Sequence, residues 1–148
     1  MTLDDILVMW GADSKIDEVN LDETSVKSAS LHAKYLELYS HAKLRLKKRE
    51  HELAVLKKDK WLYYNGKMSK EEMDSKSWPY DPFNGLMKPL KSDMDIYYDT
   101  DSDIVKLKMI VEYQQNIVET LKDILENIKW RHTTIKNIIT WKQFTSGV

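Results

Sequence analysis

The sequence predicts a mainly α protein, two long helices joined by an irregular, partly extended middle. Three observations carry that reading. Only 4 glycines and 3 prolines occur among 148 residues, too few turn formers for an all-β barrel. No glycine or proline interrupts Asp22–Tyr64, where Leu, Ala, Lys, Arg and Glu dominate. From Ser102 to Phe144 apolar residues recur at heptad spacing. The hydrophobic share, 42%, is enough for a core, while the 32% of charged residues suits helices with solvated faces or an oligomer of thin subunits. The length fits one domain. In sequence order it reads as an N-terminal helical region 1–67, an acidic middle 68–103 and a C-terminal helix region 104–148.

In chain order, Leu3–Trp10 is a short helical stretch with Asp4 and Asp5 at its start, where carboxylates favour a helix N-terminus. Gly11 is expected to end it. In the first long helix, Leu31, Tyr35, Leu38 and Ala42 make a stripe that thins among the bases of Lys43–Glu50 and resumes at Leu53 and Leu56. Asn65-Gly66 stops it, because both residues tolerate the left-handed conformation. Ser69-Lys70-Glu71-Glu72 has the form of a capping box opening a short helical turn. Trp78–Gly85 reads as an ordered loop, and Leu86–Tyr98 fits short strands or extended loop equally. In the last helix the a and d positions run Ile104, Leu107, Val111, Gln114, Val118, Leu121, Leu125, Ile128, His132, Ile135, Ile139 and Lys142. A second apolar column lies at Ile110, Ile117, Ile124 and Ile138, so one seam is available within the subunit and one for neighbouring copies. Gln114 and His132 read as partly buried polar groups, and Trp130 and Trp141 as packing residues.

The net charge of -1 conceals segregation. Residues 1–30 carry seven acids and two bases, residues 43–70 ten bases and three acids, and residues 71–104 nine acids and three bases. A basic zone between acidic ones can attract a polyanion locally, or its lysines can simply solvate a helix face. Cysteine is absent, which removes disulfides and thiolate chemistry. His32, His41 and His51 are not one turn apart, no phosphate-cradling glycine motif occurs, and no serine sits in a nucleophile elbow. Asp93, Asp95, Asp99, Asp101 and Asp103 alternate but lack a calcium loop's glycine and terminal glutamate. Helix capping and contact with a basic partner explain them better. The reading is no enzyme, cofactor or metal. An acidic start and the absence of a long apolar run point to a soluble intracellular protein without a membrane partner.

The basic zone ends in Lys57-Lys58-Asp59-Lys60-Trp61-Leu62-Tyr63-Tyr64-Asn65-Gly66-Lys67. Cations track phosphates and flat rings accept unstacked bases, so this pairing suits single-stranded nucleic acid. Helical spacing places Lys57, Trp61 and Tyr64 on one face and continues through Lys60, Tyr64 and Lys67, a strip of alternating cations and rings. The other reading is that the rings cover the end of the core.

The opening Met1–Asp5, Ala33-Lys34-Tyr35-Leu36, the box Leu56–Lys67, Met87-Lys88-Pro89-Leu90-Lys91-Ser92-Asp93 and Ile135-Lys136-Asn137-Ile138, in this order, resemble the UvsY family of phage recombination mediators. The family's basic-x-basic pair, followed by Tyr-Tyr-x-Gly-basic, is its DNA-contact element, and Lys58 and Lys60 match that pair. Lysine stands where arginine also occurs, which keeps the charge and loses the planar fork. Met68–Gly85 matches poorly, and Trp10-Gly11 interrupts where a continuous helix is expected. The resemblance implies a single-stranded-DNA-binding mediator that helps load a RecA-like recombinase onto DNA covered by single-strand-binding protein. It also implies a ring-like homo-oligomer, hexamer or heptamer, assembled through the C-terminal region, in the cytoplasm of an infected bacterial host. The expected DNA contacts are Lys57, Lys58, Lys60, Trp61, Tyr63, Tyr64 and Lys67. The acidic segments 1–30 and 71–104 are candidates for contacting basic partner surfaces. A helical structural oligomer, or a docking adaptor that binds no nucleic acid, is the alternative.

Overall fold

A computed structural model of the chain describes residues 1–147 and contains five α-helices. They are α1 (Leu3–Asp13), α2 (Leu21–Tyr64), α3 (Lys70–Lys76), α4 (Met94–Thr100) and α5 (Ser102–Thr145), with a 3-10 turn at Lys91–Asp93. No strand occurs among the described residues, so the strand alternative for Leu86–Tyr98 falls: residues 86–90 are loop, followed by the 3-10 turn and the start of α4. The chain divides into two compact units, Met1–Leu46 with the chain from Tyr113 onward, and Lys47–Glu112. The segment 68–103 lies wholly in the second unit, while 1–67 and 104–148 contribute to both.

In the first unit, Thr2 caps α1: its hydroxyl accepts from the Asp5 amide at 3.1 Å, and the Asp5 carboxylate accepts from the Thr2 amide at 2.8 Å. Gly11 does not end this helix, which continues to Asp13. A glycine there costs about 1 kcal/mol of propensity, an amount that packing routinely overrides. The packing is visible at Trp10, whose ring meets Tyr35 of α2 edge-on at 5.4 Å. Tyr35 is fully buried, and its hydroxyl donates to Asp13 Oδ2 at 2.9 Å, where Lys34 also arrives at 2.6 Å. Buried Arg131 of α5 donates to the carbonyls of Asp13, Ser14 and Lys15 at 3.1, 3.4 and 2.9 Å. It thereby satisfies backbone acceptors that the end of α1 leaves open.

The buried face of α5 in this unit runs through Ile117, Val118, Leu121, Ile124, Ile128, Arg131 and Ile135. Both predicted seams therefore contribute to one internal face. Gln114 is half-buried and donates to the Ala42 carbonyl at 3.1 Å. His132 is a correction: it is exposed, its ring next to the Lys129 carbonyl, and Arg131 takes the interior place beside it. Trp130 and Trp141 are also corrected. They lie mostly in solvent, and Trp141, 64% exposed, stacks only on Phe144, itself 76% exposed, at 5.8 Å.

In the second unit, α2 ends as its Asn-Gly pair requires. Gly66 has φ 69°, the Lys67 amide reaches back to the Leu62 carbonyl at 2.9 Å, and the Gly66 amide reaches Tyr63 at 3.3 Å. Ser69 caps α3, accepting from the Glu72 amide at 3.2 Å. A compact aromatic and methionine cluster follows, built from Tyr63, Tyr64, Met68, Met73, Phe83 and Met94. Asp81 folds the Trp78–Gly85 loop onto it by accepting from the Phe83 and Gly85 amides. No helix of the described residues is long and apolar enough to cross a membrane.

Candidate nucleic-acid interface

The box Lys57–Lys67 spans the last turns of α2 and the turn that follows it in the second unit, and the fold divides it between surface and interior. Lys57, Lys58 and Lys67 are exposed, and Trp61 is 44% exposed with the Lys67 ammonium 4.5 Å from its ring centroid. Lys60, Tyr63 and Tyr64 point the other way and are buried. The continuous surface strip predicted from helical spacing is therefore not formed in the subunit, because one face of α2 belongs to the core.

Lys60 is only 4% exposed and is fully engaged. Its ammonium lies 3.1 Å from Asp101 and 2.8 Å from Asp103, with the Trp78 ring centroid at 3.8 Å and that of Tyr63 at 5.4 Å. Asp101 is the N-cap of α5, accepting from the Asp103 and Ile104 amides at 3.0 and 3.1 Å. The Tyr64 hydroxyl donates to its other oxygen at 2.6 Å, and the Tyr63 hydroxyl donates to the Pro79 carbonyl at 2.6 Å. Burial pushes the Asp101 carboxyl up, but the Tyr64 hydroxyl, the Ile104 amide and Lys60 more than offset this and hold it below the usual carboxylate value. Burial, followed by the bond to Asp101, pushes the Tyr64 hydroxyl well up. A buried ammonium with two carboxylates and an aromatic cap lacks nothing that water would supply.

The expected acidic docking segments are likewise partly committed inside the fold. Asp101 and Asp103 hold Lys60, and Asp13 holds Lys34 and Tyr35. Among the described residues, no group of three or more His, Asp or Glu side chains is placed to hold a metal.

What the surface retains is a cationic edge. Lys47, Lys48, Lys57, Lys58, Lys67 and Lys70 are exposed in this unit, and helical spacing sets Lys47, His51, Lys58 and Trp61 toward one side of α2. Arg49 is tied to Glu52 at 3.0 Å. Beside Trp61 the surface is hollowed by Asn65, Lys88, Lys91 and Tyr98, residues that the sequence reading left outside the site. Lys88 and Lys91 stand in the Met87–Asp93 motif, so the signal was present as a motif without a chemistry.

A family model described as "Recombination, repair and ssDNA binding protein UvsY" matches residues 9–148. Among solved structures, the bacteriophage T4 recombination mediator protein UvsY in lattice type II superposes with a TM-score of 0.82 at 24% identity, covering 99% of this chain and 98% of its own. The same protein in lattice type IV gives 0.79 at 22% identity, covering 98% and 99%. Lattice type I gives 0.80 at 23%, covering 95% and 98%. These likenesses establish the fold. No curated protein matches the chain.

Proposed function

This chain belongs to the UvsY family of recombination, repair and single-stranded-DNA-binding proteins, and we propose that it loads a RecA-like recombinase onto single-stranded DNA covered by single-strand-binding protein. The observation that carries the proposal is the exposed half of the box, in which Lys57, Lys58 and Lys67 surround a solvent-facing Trp61. These four residues are the direct contacts, with the cations on phosphates and the indole on a base. Lys60, Tyr63 and Tyr64 act behind them by fixing the end of α2 to the start of α5. No catalytic step is needed, since displacement of one DNA-bound protein by another is a competition of affinities.

One such edge is a weak site. A ring of copies converts it into a strong one, because each further contact along the strand becomes intramolecular. Support for assembly through the C-terminal region comes from the exposed Trp130, Ile139, Trp141 and Phe144 near the end of α5, large apolar side chains that a second copy would cover. The ring holds the strand in the cytoplasm of the infected host, accessible to recombinase.

Fluorescence anisotropy of a labelled single-stranded oligonucleotide across a salt series tests this. The wild-type chain should weaken steeply with salt, and Lys57→Ala with Lys58→Ala should reduce the slope by about 1.4 per subunit engaged. Unchanged affinity and slope in that variant remove these lysines from the interface. Absence of salt-sensitive binding by the wild-type chain favours a purely structural oligomer or adaptor. Lys60→Ala is a poor probe of contact, because it breaks the fold beneath the site.

A further inference from the structure

The second unit carries a furrow with the chemistry of a nucleotide seat beyond the box itself. Two adjoining clefts form it, of about 310 Å³ and about 700 Å³. Both fall within the roughly 300–1,000 Å³ usual for small-molecule sites. Trp61, Asp95 and Tyr98 line both clefts. Lys57 stands at one end, and Lys88 with Lys91 at the other. Asn65 organises the middle. Its side-chain amide donates to the Trp61 carbonyl at 2.7 Å and to the Tyr98 hydroxyl at 3.1 Å, while its carbonyl oxygen accepts from Lys88 at 3.3 Å. The Tyr98 ring and the Lys88 cation are thus tied to Asn65 before any ligand arrives, which lowers the ordering cost of binding.

We infer that this furrow seats one nucleobase of single-stranded DNA against Trp61 and Tyr98, with the flanking phosphates at Lys57 on one side and at Lys88 and Lys91 on the other. The inference rests on the DNA-binding reading above and extends it to residues outside the Lys57–Lys67 box. Cations at both ends and rings between them match the order phosphate, base, phosphate. Asp95 in the middle repels a phosphate and accepts from the amino group of a base, so it fixes which part of the nucleotide enters. Lys108, also at the Lys57 end, is 3.7 Å from Asp99 and contributes less free charge. Asn65 is a positioning residue here.

Two measurements on the full-length protein test the seat. An oligonucleotide carrying 5-iododeoxyuridine, irradiated in complex with the wild-type chain, should cross-link to the peptide containing Trp61 or to that containing Tyr98. In the salt series, Lys88→Ala with Lys91→Ala should lower the slope by about 1.4 and the affinity about tenfold. Asp95→Asn should tighten binding about twofold. Cross-links confined to Trp130, Trp141 or other rings, with an unchanged slope in the lysine variant, overturn the furrow while leaving DNA binding intact. A wild-type chain without salt-sensitive binding overturns the underlying reading and the furrow with it. Lys88 and Lys91 are exposed, so their removal leaves the fold in place.

Discussion

Each unit of the molecule holds a tyrosine whose hydroxyl donates to an aspartate that also receives a lysine ammonium, and the two networks differ in how much water they keep. In the first unit Tyr35 and Lys34 meet Asp13 at 2.9 and 2.6 Å, and the lysine side chain is 42% exposed. In the second unit Tyr64 and Lys60 meet Asp101 at 2.6 and 3.1 Å, and lysine and aspartate side chains are each 5% exposed. Lys34 can exchange its carboxylate for water at little cost, whereas Lys60 cannot. The same three chemical groups thus make an adjustable surface tie in one place and an obligatory internal tie in the other. The obligatory one lies directly beneath the exposed cations proposed to bind DNA, where rigidity keeps Lys57, Lys58 and Trp61 presented together.

The largest difference between the networks should appear when the lysine is removed. Lys60→Met leaves the buried Asp101 carboxylate without its main counter-charge and should destabilise the second unit by about 3–5 kcal/mol. Urea denaturation followed by circular dichroism measures it. A loss under 1 kcal/mol would mean that Lys60 is not the internal tie its burial indicates. Next in size are the hydroxyl deletions. Tyr64→Phe removes a hydrogen bond to a buried charged acceptor and should cost about 1.5–3 kcal/mol. Tyr35→Phe should cost less, since the more exposed Asp13 can recruit water in its place. Equal losses in the two variants would erase the distinction between a wet and a dry network.

Much of this fold is legible in the sequence. An uninterrupted run of helix formers marks α2, and Asn65-Gly66 marks its end, because both signals are local and backbone geometry obeys them. Ser69 announces α3 for the same reason. Helix α4 carries no capping side chain, so nothing local distinguishes it from loop. The fate of Lys60 is not local either. Its partners Trp78, Asp101 and Asp103 are distant in sequence, and spacing along α2 reveals which residues share a face without revealing which face the core claims. On α5 the heptad frame assigns the interior place to His132, while the structure gives it to Arg131, the longer cation able to reach three carbonyls at and just past the end of α1. A one-residue shift of that kind is beyond periodicity alone. The furrow beside Trp61 was half visible: its lysines stood in a recognised motif, but only the fold brings them to Tyr98 and Asn65.

The smallest expected effect sharpens the comparison from its weak side. Lys34→Ala should cost no more than about 1 kcal/mol at neutral pH, as partly exposed ion pairs do. That small contribution has a defined pH dependence. The Lys34 hydrogen bond, followed by that of Tyr35 and working against burial, holds the Asp13 carboxyl below its ordinary value of 3.8. A carboxyl depressed in the folded state contributes stability that is fully present above its unfolded pKa and lost as pH falls through the folded one. The gap between wild type and Lys34→Ala should therefore be constant above about pH 5 and close as the pH falls below 3.8. Denaturation midpoints of the two proteins at a series of pH values test this. A gap that persists undiminished at low pH would show that Lys34 stabilises through its packed aliphatic stem or its contact with the Tyr35 ring, 5.5 Å from the ammonium, rather than through Asp13.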